Sequence, residues 1–193
     1  MPFSDTMNTI LSSQNGTSPH VTGNYGEVRK PGPDGRLPGP HGGVDFNYKG
    51  GPSGINSQSP TIYSPIDGIV TSVVAGTGTY NTIKIKDKDG NSHEFLHTNS
   101  QSVKRGDSVK TGDPIGSMGG YGPKKGKGQF APHVHYQMKD PQGRRINPQG
   151  WWDNGGGGGA DQMSGGTGND IYVTHNALDY NQPTNQQAGG EPS

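Results

Sequence analysis

Thr82-Ile83-Lys84-Ile85-Lys86-Asp87-Lys88-Asp89-Gly90-Asn91-Ser92-His93-Glu94-Phe95-Leu96-His97 is the stretch whose period decides the fold. Residues 82–86 alternate apolar and charged side chains. A period of two belongs to an antiparallel strand with one face buried and one solvated. Lys88-Asp89-Gly90-Asn91 is a hairpin turn signal, so residues 93–97 read as the returning strand.

The same texture continues outward. Thr61-Ile62-Tyr63-Ser64, Pro65-Ile66-Asp67-Gly68 and Ile69-Val70-Thr71-Ser72-Val73-Val74 precede the hairpin. Residues 103–113 follow as two turns around a short strand, then Pro114-Ile115-Gly116-Ser117-Met118 and a Gly/Lys loop over residues 119–128. Residues 29–40 are dense in Gly and Pro and read as an irregular surface loop. Residues 1–19 are polar apart from Ile10 and Leu11 and are expected to form a flexible arm. No helix is expected. The expectation is an all-β domain over residues 20–152, an antiparallel sheet or sandwich with long loops at one end.

Composition narrows the function classes. Across 193 residues the hydrophobic content is 25%, with 35 Gly and 16 Pro, which favours short strands and tight turns over helical bundles. The formal net charge is zero, so nothing points to nucleic acid or an anionic membrane. With no cysteine, a metal would have to take histidine and carboxylate ligands. Met1-Pro2-Phe3-Ser4-Asp5-Thr6 has neither a basic start nor an apolar run, and no stretch is long enough to span a bilayer. The expectation is a soluble chain without a conventional export signal.

Such ligands are present. In Ala131-Pro132-His133-Val134-His135-Tyr136 the two histidines share one strand face, with Val134 and Tyr136 on the other. His41-Gly42-Gly43-Val44-Asp45 offers an imidazole and a carboxylate four residues apart, and its glycines disfavour a helix. Two histidines and one carboxylate make a usual three-ligand set for a catalytic zinc, leaving the fourth position to water. A further histidine facing the site could move protons.

On His41-x-x-x-Asp45, His133-x-His135 and the histidine of Phe95-Leu96-His97-Thr98, the chain resembles the M23 (lysostaphin/LytM-type) peptidoglycan endopeptidases. The pattern of residues 64–70 and 103–116 agrees, and the resemblance covers residues 20–152. It implies the LytM-type antiparallel fold with long loops around a zinc cleft. It further implies that His41, Asp45 and His135 hold zinc, while His97 and His133 are the catalytic histidines. Val134 stands where the family often has Leu, and Thr98-Asn99 where it often has Leu-Ser; neither change removes a functional group. The same fold also serves inactive wall-binding or amidase-activating relatives, which usually lack several of the five residues. All five are here.

A competing motif lies in the hairpin itself. His93-Glu94-Phe95-Leu96-His97 satisfies the His-Glu-x-x-His pattern of helical zinc proteases. That chemistry needs a helix, and the space between Asn91 and Thr98 is too short for one. Read as a strand, it puts His93, Phe95 and His97 on one face and Glu94 on the other.

The tail is different again. Residues 156–164 and 165–173 fit a nonapeptide calcium-binding repeat in register, with Asp161 and Asp170 as candidate calcium ligands. The segment 153–193 therefore resembles a fragment of an RTX-type β-roll. A glycine-rich, partly disordered linker is the other reading, since two repeats fall short of the three a stable stack needs.

The five glycines at 155–159 match the cross-bridge that one branch of the family cuts. An enzyme of that specificity would clip its own tail, so the D-alanyl–diaminopimelate cross-link is the expected substrate. Without an export signal, the expected routes are phage delivery, type I secretion, or injection into the periplasm or cell wall of a target bacterium. The last route implies an immunity protein. A calcium-stabilised binding module is the remaining alternative.

Overall fold

The computed structural model describes residues 1–34 and 38–157. The repeats of the tail, with Asp161 and Asp170, lie outside the described residues. By contacts, Met1–Gly159 is one unit and Ala160–Ser193 another. All the described residues belong to the first.

Ile83, Ile85 and Phe95 are fully buried, and Lys86 is exposed. Each such apolar side chain contributes roughly 1.5–3 kcal/mol on burial, which is why the alternating run settles as a strand. Its partner returns antiparallel, with Ile83 opposite Phe95 and Ile85 opposite His93. In chain order the elements are α1 (Phe3–Ile10), β1 (Pro19–Gly23), β2 (Val28–Arg29), β3 (Gly39–Pro40), β4 (Val44–Tyr48), a 3-10 turn (Gly54–Gln58), β5 (Thr61–Tyr63), β6 (Gly68–Val74), β7 (Thr82–Lys86) and β8 (Ser92–Leu96). Then come β9 (Ser100–Gln101), β10 (Ser108–Val109), β11 (Pro114–Ser117), β12 (Val134–Lys139), β13 (Arg145–Ile146) and α2 (Pro148–Asp153). The main sheet runs β1-β4-β12-β8-β7-β6-β10, with β13 on β12. A second sheet runs β5-β11-β9, and β2 pairs with β3 as a separate ribbon. Every strand pairing among the described residues is antiparallel. The all-β class read from the sequence holds.

Two helices among the described residues correct the expectation of none, and α1 corrects the flexible arm. Phe3, Met7, Ile10 and Leu11 recur at helical spacing and are all buried. Phe3 meets Phe46 edge-on, with ring centroids 6.3 Å apart, and the Tyr48 hydroxyl donates to the Ser12 carbonyl. Eight residues are too few to be stable alone, so the sheet supplies what propensity does not. In α2 the Asn147 side chain accepts from Gln149 N–H and Gly150 N–H, and Pro148 opens the first turn. No helix among the described residues is long and apolar enough to cross a membrane.

β12 lies inside the sheet, between β4 and β8. Val134, Tyr136 and Met138 are buried in the core, which leaves His135 and Gln137 on the opposite face. Behind them runs a closed polar chain. Trp152 Nε1–H donates to the Tyr136 hydroxyl at 3.0 Å, and that hydroxyl meets His93 Nδ1 at 2.7 Å. His93 Nε2 lies 3.2 Å from Asp87 Oδ2. One tautomer satisfies the whole chain: Tyr136 donates to Nδ1, and Nε2–H donates to Asp87. Burial pushes the His93 pKa down despite Asp87. Burial opposes the Asp87 charge, but hydrogen bonds from His93 and Asn91 prevail and hold its carboxyl at about 2.

Candidate metal centre

Asp45 on β4 and His135 on β12 are directly paired across the ladder and so share a sheet face. His41 stands just before β4, at the end of the β2–β3 ribbon. The turn between His41 and Asp45 passes so close to β12 that a Cβ on Gly43 would lie 2.6 Å from the Tyr136 carbonyl oxygen and 2.8 Å from His135 Nε2. Glycine is required there by contact.

Three donor atoms converge. His135 Nδ1 is 2.8 Å from Asp45 Oδ1, His41 Nε2 is 3.1 Å from His135 Nδ1, and His41 Nε2 is 3.2 Å from Asp45 Oδ1. All three residues are buried. Zinc bonds of about 2.0–2.1 Å in a tetrahedron place neighbouring ligand atoms roughly 3.3 Å apart, so the triangle is of the right size.

The remaining ring nitrogens are already committed. His41 Nδ1 lies 2.9 Å from the Asn24 carbonyl, and His135 Nε2 lies 3.2 Å from Gln137 Oε1. With those N–H groups donating outward, two bare nitrogens and a carboxylate oxygen face one another, an arrangement that a cation relieves. Burial opposes the Asp45 charge, but in the absence of a cation an imidazole that turns an N–H inward donates to it, and such hydrogen bonds from His135 and His41, with His133 nearby, lower its pKa.

His97 and His133 complete the cluster. Their rings are 4.9 Å apart, and His97 is 5.7 Å from the His135 ring. His97 Nδ1 is held by the Tyr121 carbonyl at 2.7 Å and His133 Nδ1 by the Ala131 carbonyl at 2.7 Å, which leaves both Nε2 atoms for the site. Nitrogens of His97, His133 and His135 lie within 4.8 Å of one another. Burial is the main reason both pKa values fall, and for His97 the neighbouring His133 and His135 add to it. Both rings are therefore neutral near pH 7, able to accept a proton.

The strand alternation read from the sequence fails at one position. His93 and Phe95 do face the core, but His97 does not follow them. Its φ is +66°, a left-handed turn just after β8, and this swings the ring onto the opposite face, beside His135. Glu94 pairs with Gln137 across β8 and β12 and so lies on the same face as His135. Its carboxylate accepts from Gln137 Nε2 at 2.6 Å and from Ser92 Oγ at 3.2 Å, with Lys84 Nζ 3.4 Å away. It reaches His135 only through Gln137. The His-Glu-x-x-His reading is therefore not supported: no helix forms there, and His93 belongs to the core.

Sequence reasoning missed Gln137 and Arg29. Gln137 Oε1 also accepts from Arg145 Nη1 at 3.0 Å, so a donor on one side and a carboxylate on the other fix which way the amide points. Its position two residues after His135 was the available signal. Arg29 Nη2 donates to Asp45 Oδ2 at 2.6 Å from within a Gly/Pro-rich stretch that carried no such signal.

Residues 39–148 match the model of peptidase family M23. Over 66 residues, 32% of this chain and 20% of the relative, the chain is 42% identical to an L-Ala–D-Glu endopeptidase of Bacillus subtilis (strain 168). The chain spans about a fifth of the length of the curated relatives it matches. A zinc-containing peptidase from Vibrio cholerae aligns with TM-score 0.53 and 25% identity over 72% of this chain and 38% of that one. The catalytic domain of the antimicrobial peptidase lysostaphin from Staphylococcus simulans shares the fold, with TM-score 0.53 and 21% identity over 77% of this chain and 96% of that one.

Proposed function

The chain belongs to peptidase family M23, and from that premise we propose that it is a zinc-dependent endopeptidase acting on the peptide cross-links of bacterial peptidoglycan. The observation that carries this reading is the convergence of His41 Nε2, Asp45 Oδ1 and His135 Nδ1 beside two neutral histidines. The three hold the metal, which when bound lowers the pKa of a water and polarises the carbonyl under attack. His97 and His133 do the rest with Nε2. With Nδ1–H given to a carbonyl, each neutral ring presents a bare Nε2: one takes the proton of the attacking water and passes it to the leaving amine, and the other donates to the oxyanion once it has itself taken up a proton. Their carbonyl-held Nδ1 atoms keep both rings aimed without needing a charged partner.

The preferred bond is D-alanyl–diaminopimelate. The hairpin that carries Tyr121 turns at Gly122–Gly126 and exposes Lys124, Lys125 and Lys127, with no acidic residue between residues 119 and 131. A cationic rim suits a stem peptide with free carboxylates better than a neutral glycine bridge. Self-cleavage is a weaker guide to the bond: Gly155 N–H donates to Trp152 O and Gly156 N–H to Trp151 O, so this part of the glycine run is already folded. The enzyme acts on the wall of a target bacterium, as a secreted, phage-borne or injected antibacterial protein, and injection would pair it with an immunity protein. The sequence's calcium-type repeats support export.

Digestion of purified peptidoglycan with and without a chelator tests the reading. Chelator-sensitive release of peptides cut at the cross-link is expected. Wall binding without release would favour the inactive, amidase-activating alternative, and cleavage of a glycine bridge would overturn the bond assignment.

A further inference from the structure

Arg29 lies outside the stretch that matches the family model, yet its guanidinium reaches the centre. The two oxygens of Asp45 have separate partners. Oδ1 faces His135 Nδ1 at 2.8 Å and His41 Nε2 at 3.2 Å, whereas Oδ2 accepts from Arg29 Nη2 at 2.6 Å. The space for that guanidinium is built into the sheet. The β1–β4 register shifts between Val21 and Gly23, and the shift puts Gly23 directly opposite Asp45. A Cβ on Gly23 would lie 2.1 Å from Arg29 Nη2 and 3.2 Å from Asp45 Oδ2. A residue without a side chain thus leaves the slot that Arg29 fills.

The same segment also holds His41. Arg29 pairs with Gly39 in the β2–β3 ribbon, two residues before His41. His41 N–H donates to the Glu27 carbonyl at 2.8 Å, and its Nδ1 meets the Asn24 carbonyl at 2.9 Å. Residues 23–29 thus orient two of the three donor side chains from outside the matched region.

We propose that Arg29 is a positioning residue that confines Asp45 to binding the metal through Oδ1 alone. This rests on the zinc reading above. A carboxylate free at both oxygens can swing to bind through both. The metal then gains a fourth protein atom, and the position needed by water is crowded. Arg29, bound to Oδ2 through Nη2, prevents the swing, because rotation would break a charge-assisted hydrogen bond in a largely buried site.

Cobalt(II) in place of zinc reports coordination number directly, since four-coordinate cobalt absorbs visible light strongly and five-coordinate cobalt weakly. The full chain should take up one cobalt with the intense spectrum. Arg29→Met should still bind cobalt, but with a weaker, five-coordinate band. The zinc form of that variant should lose about tenfold or more in kcat with little change in KM. Gly23→Ala, which keeps the arginine but displaces its guanidinium, should shift the spectrum the same way and serves if Arg29→Met does not fold. A parent that takes up no cobalt sinks the zinc reading and this inference together. A parent that binds cobalt while the folded variant keeps the parent's spectrum and kcat overturns this inference alone.

Discussion

Asp45 Oδ1 and His135 Nδ1 lie 2.8 Å apart across two neighbouring strands, although 90 residues separate them in the chain. The pairing puts Asp45 and His135 on β backbone, while His41, His97 and His133 stand just outside strands. Substitutions should therefore separate into two classes. Asp45→Ala and His135→Ala are expected to lose zinc as measured by bound-metal stoichiometry. His97→Ala and His133→Ala are expected to retain zinc and lose about 100-fold or more in turnover. Metal loss from His133→Ala with metal retained in His135→Ala would reverse the roles.

Glu94 touches Gln137, Ser92 and lysine side chains but no donor atom of the centre. A glutamine there still presents an oxygen to Gln137 Nε2. Glu94→Gln should keep activity close to the parent's on the same wall preparation, whereas loss as deep as that of Asp45→Ala would restore the His-Glu-x-x-His interpretation.

Gly43 is held to glycine by the Tyr136 carbonyl and His135 Nε2. Gly43→Ala should push β4 and β12 apart, cost about 1–3 kcal/mol in denaturant unfolding, and weaken metal retention in a chelator titration. Unchanged stability would mean that the strands have more freedom than the contacts imply.

The buried histidines set a pH dependence. His93, His97 and His133 all have folded pKa values below the ordinary histidine value, chiefly through burial. The unfolded chain then takes up protons first as pH falls below about 6.5. Their stabilising effect is complete above that value and is lost as pH falls towards the folded values. Asp87 acts lower, its contribution being complete above the ordinary carboxylate value and lost as pH falls through about 2. The Tm of metal-free protein should hold down to about pH 7 and decline towards about pH 5, and His93→Gln should flatten part of that decline. A Tm that rises on acidification would contradict the assignment.

α1 carries weight beyond its length. Phe3 is 5% exposed and packs on Phe46, so Phe3→Ala should cost about 3 kcal/mol in urea unfolding. A loss indistinguishable from zero would return residues 3–10 to the status of a loose arm.

The sheet was legible because Ile83, Ile85 and Phe95 follow a strict period of two, which burial on one face enforces. His41, Asp45, His133 and His135 were legible from spacing, whereas His97 was placed by resemblance against the alternation that the strand predicted. Its left-handed φ of +66° has no sequence signature at a histidine. α1 was hidden because four apolar residues in a short polar segment do not make a helix without the sheet beneath them. Arg29 was hidden because its partner stands 16 residues away across a bulged ladder. Its register could not be counted from the chain.

Phe3 N–H donates to Asp153 Oδ1 at 2.7 Å, so the two ends of the folded unit are tied side by side. A domain whose entry and exit points adjoin can be carried within or at the end of a larger polypeptide without stretching either junction. The matched stretch makes up about a fifth of its curated relatives, and in this chain the Phe3–Asp153 clasp holds those two junctions together.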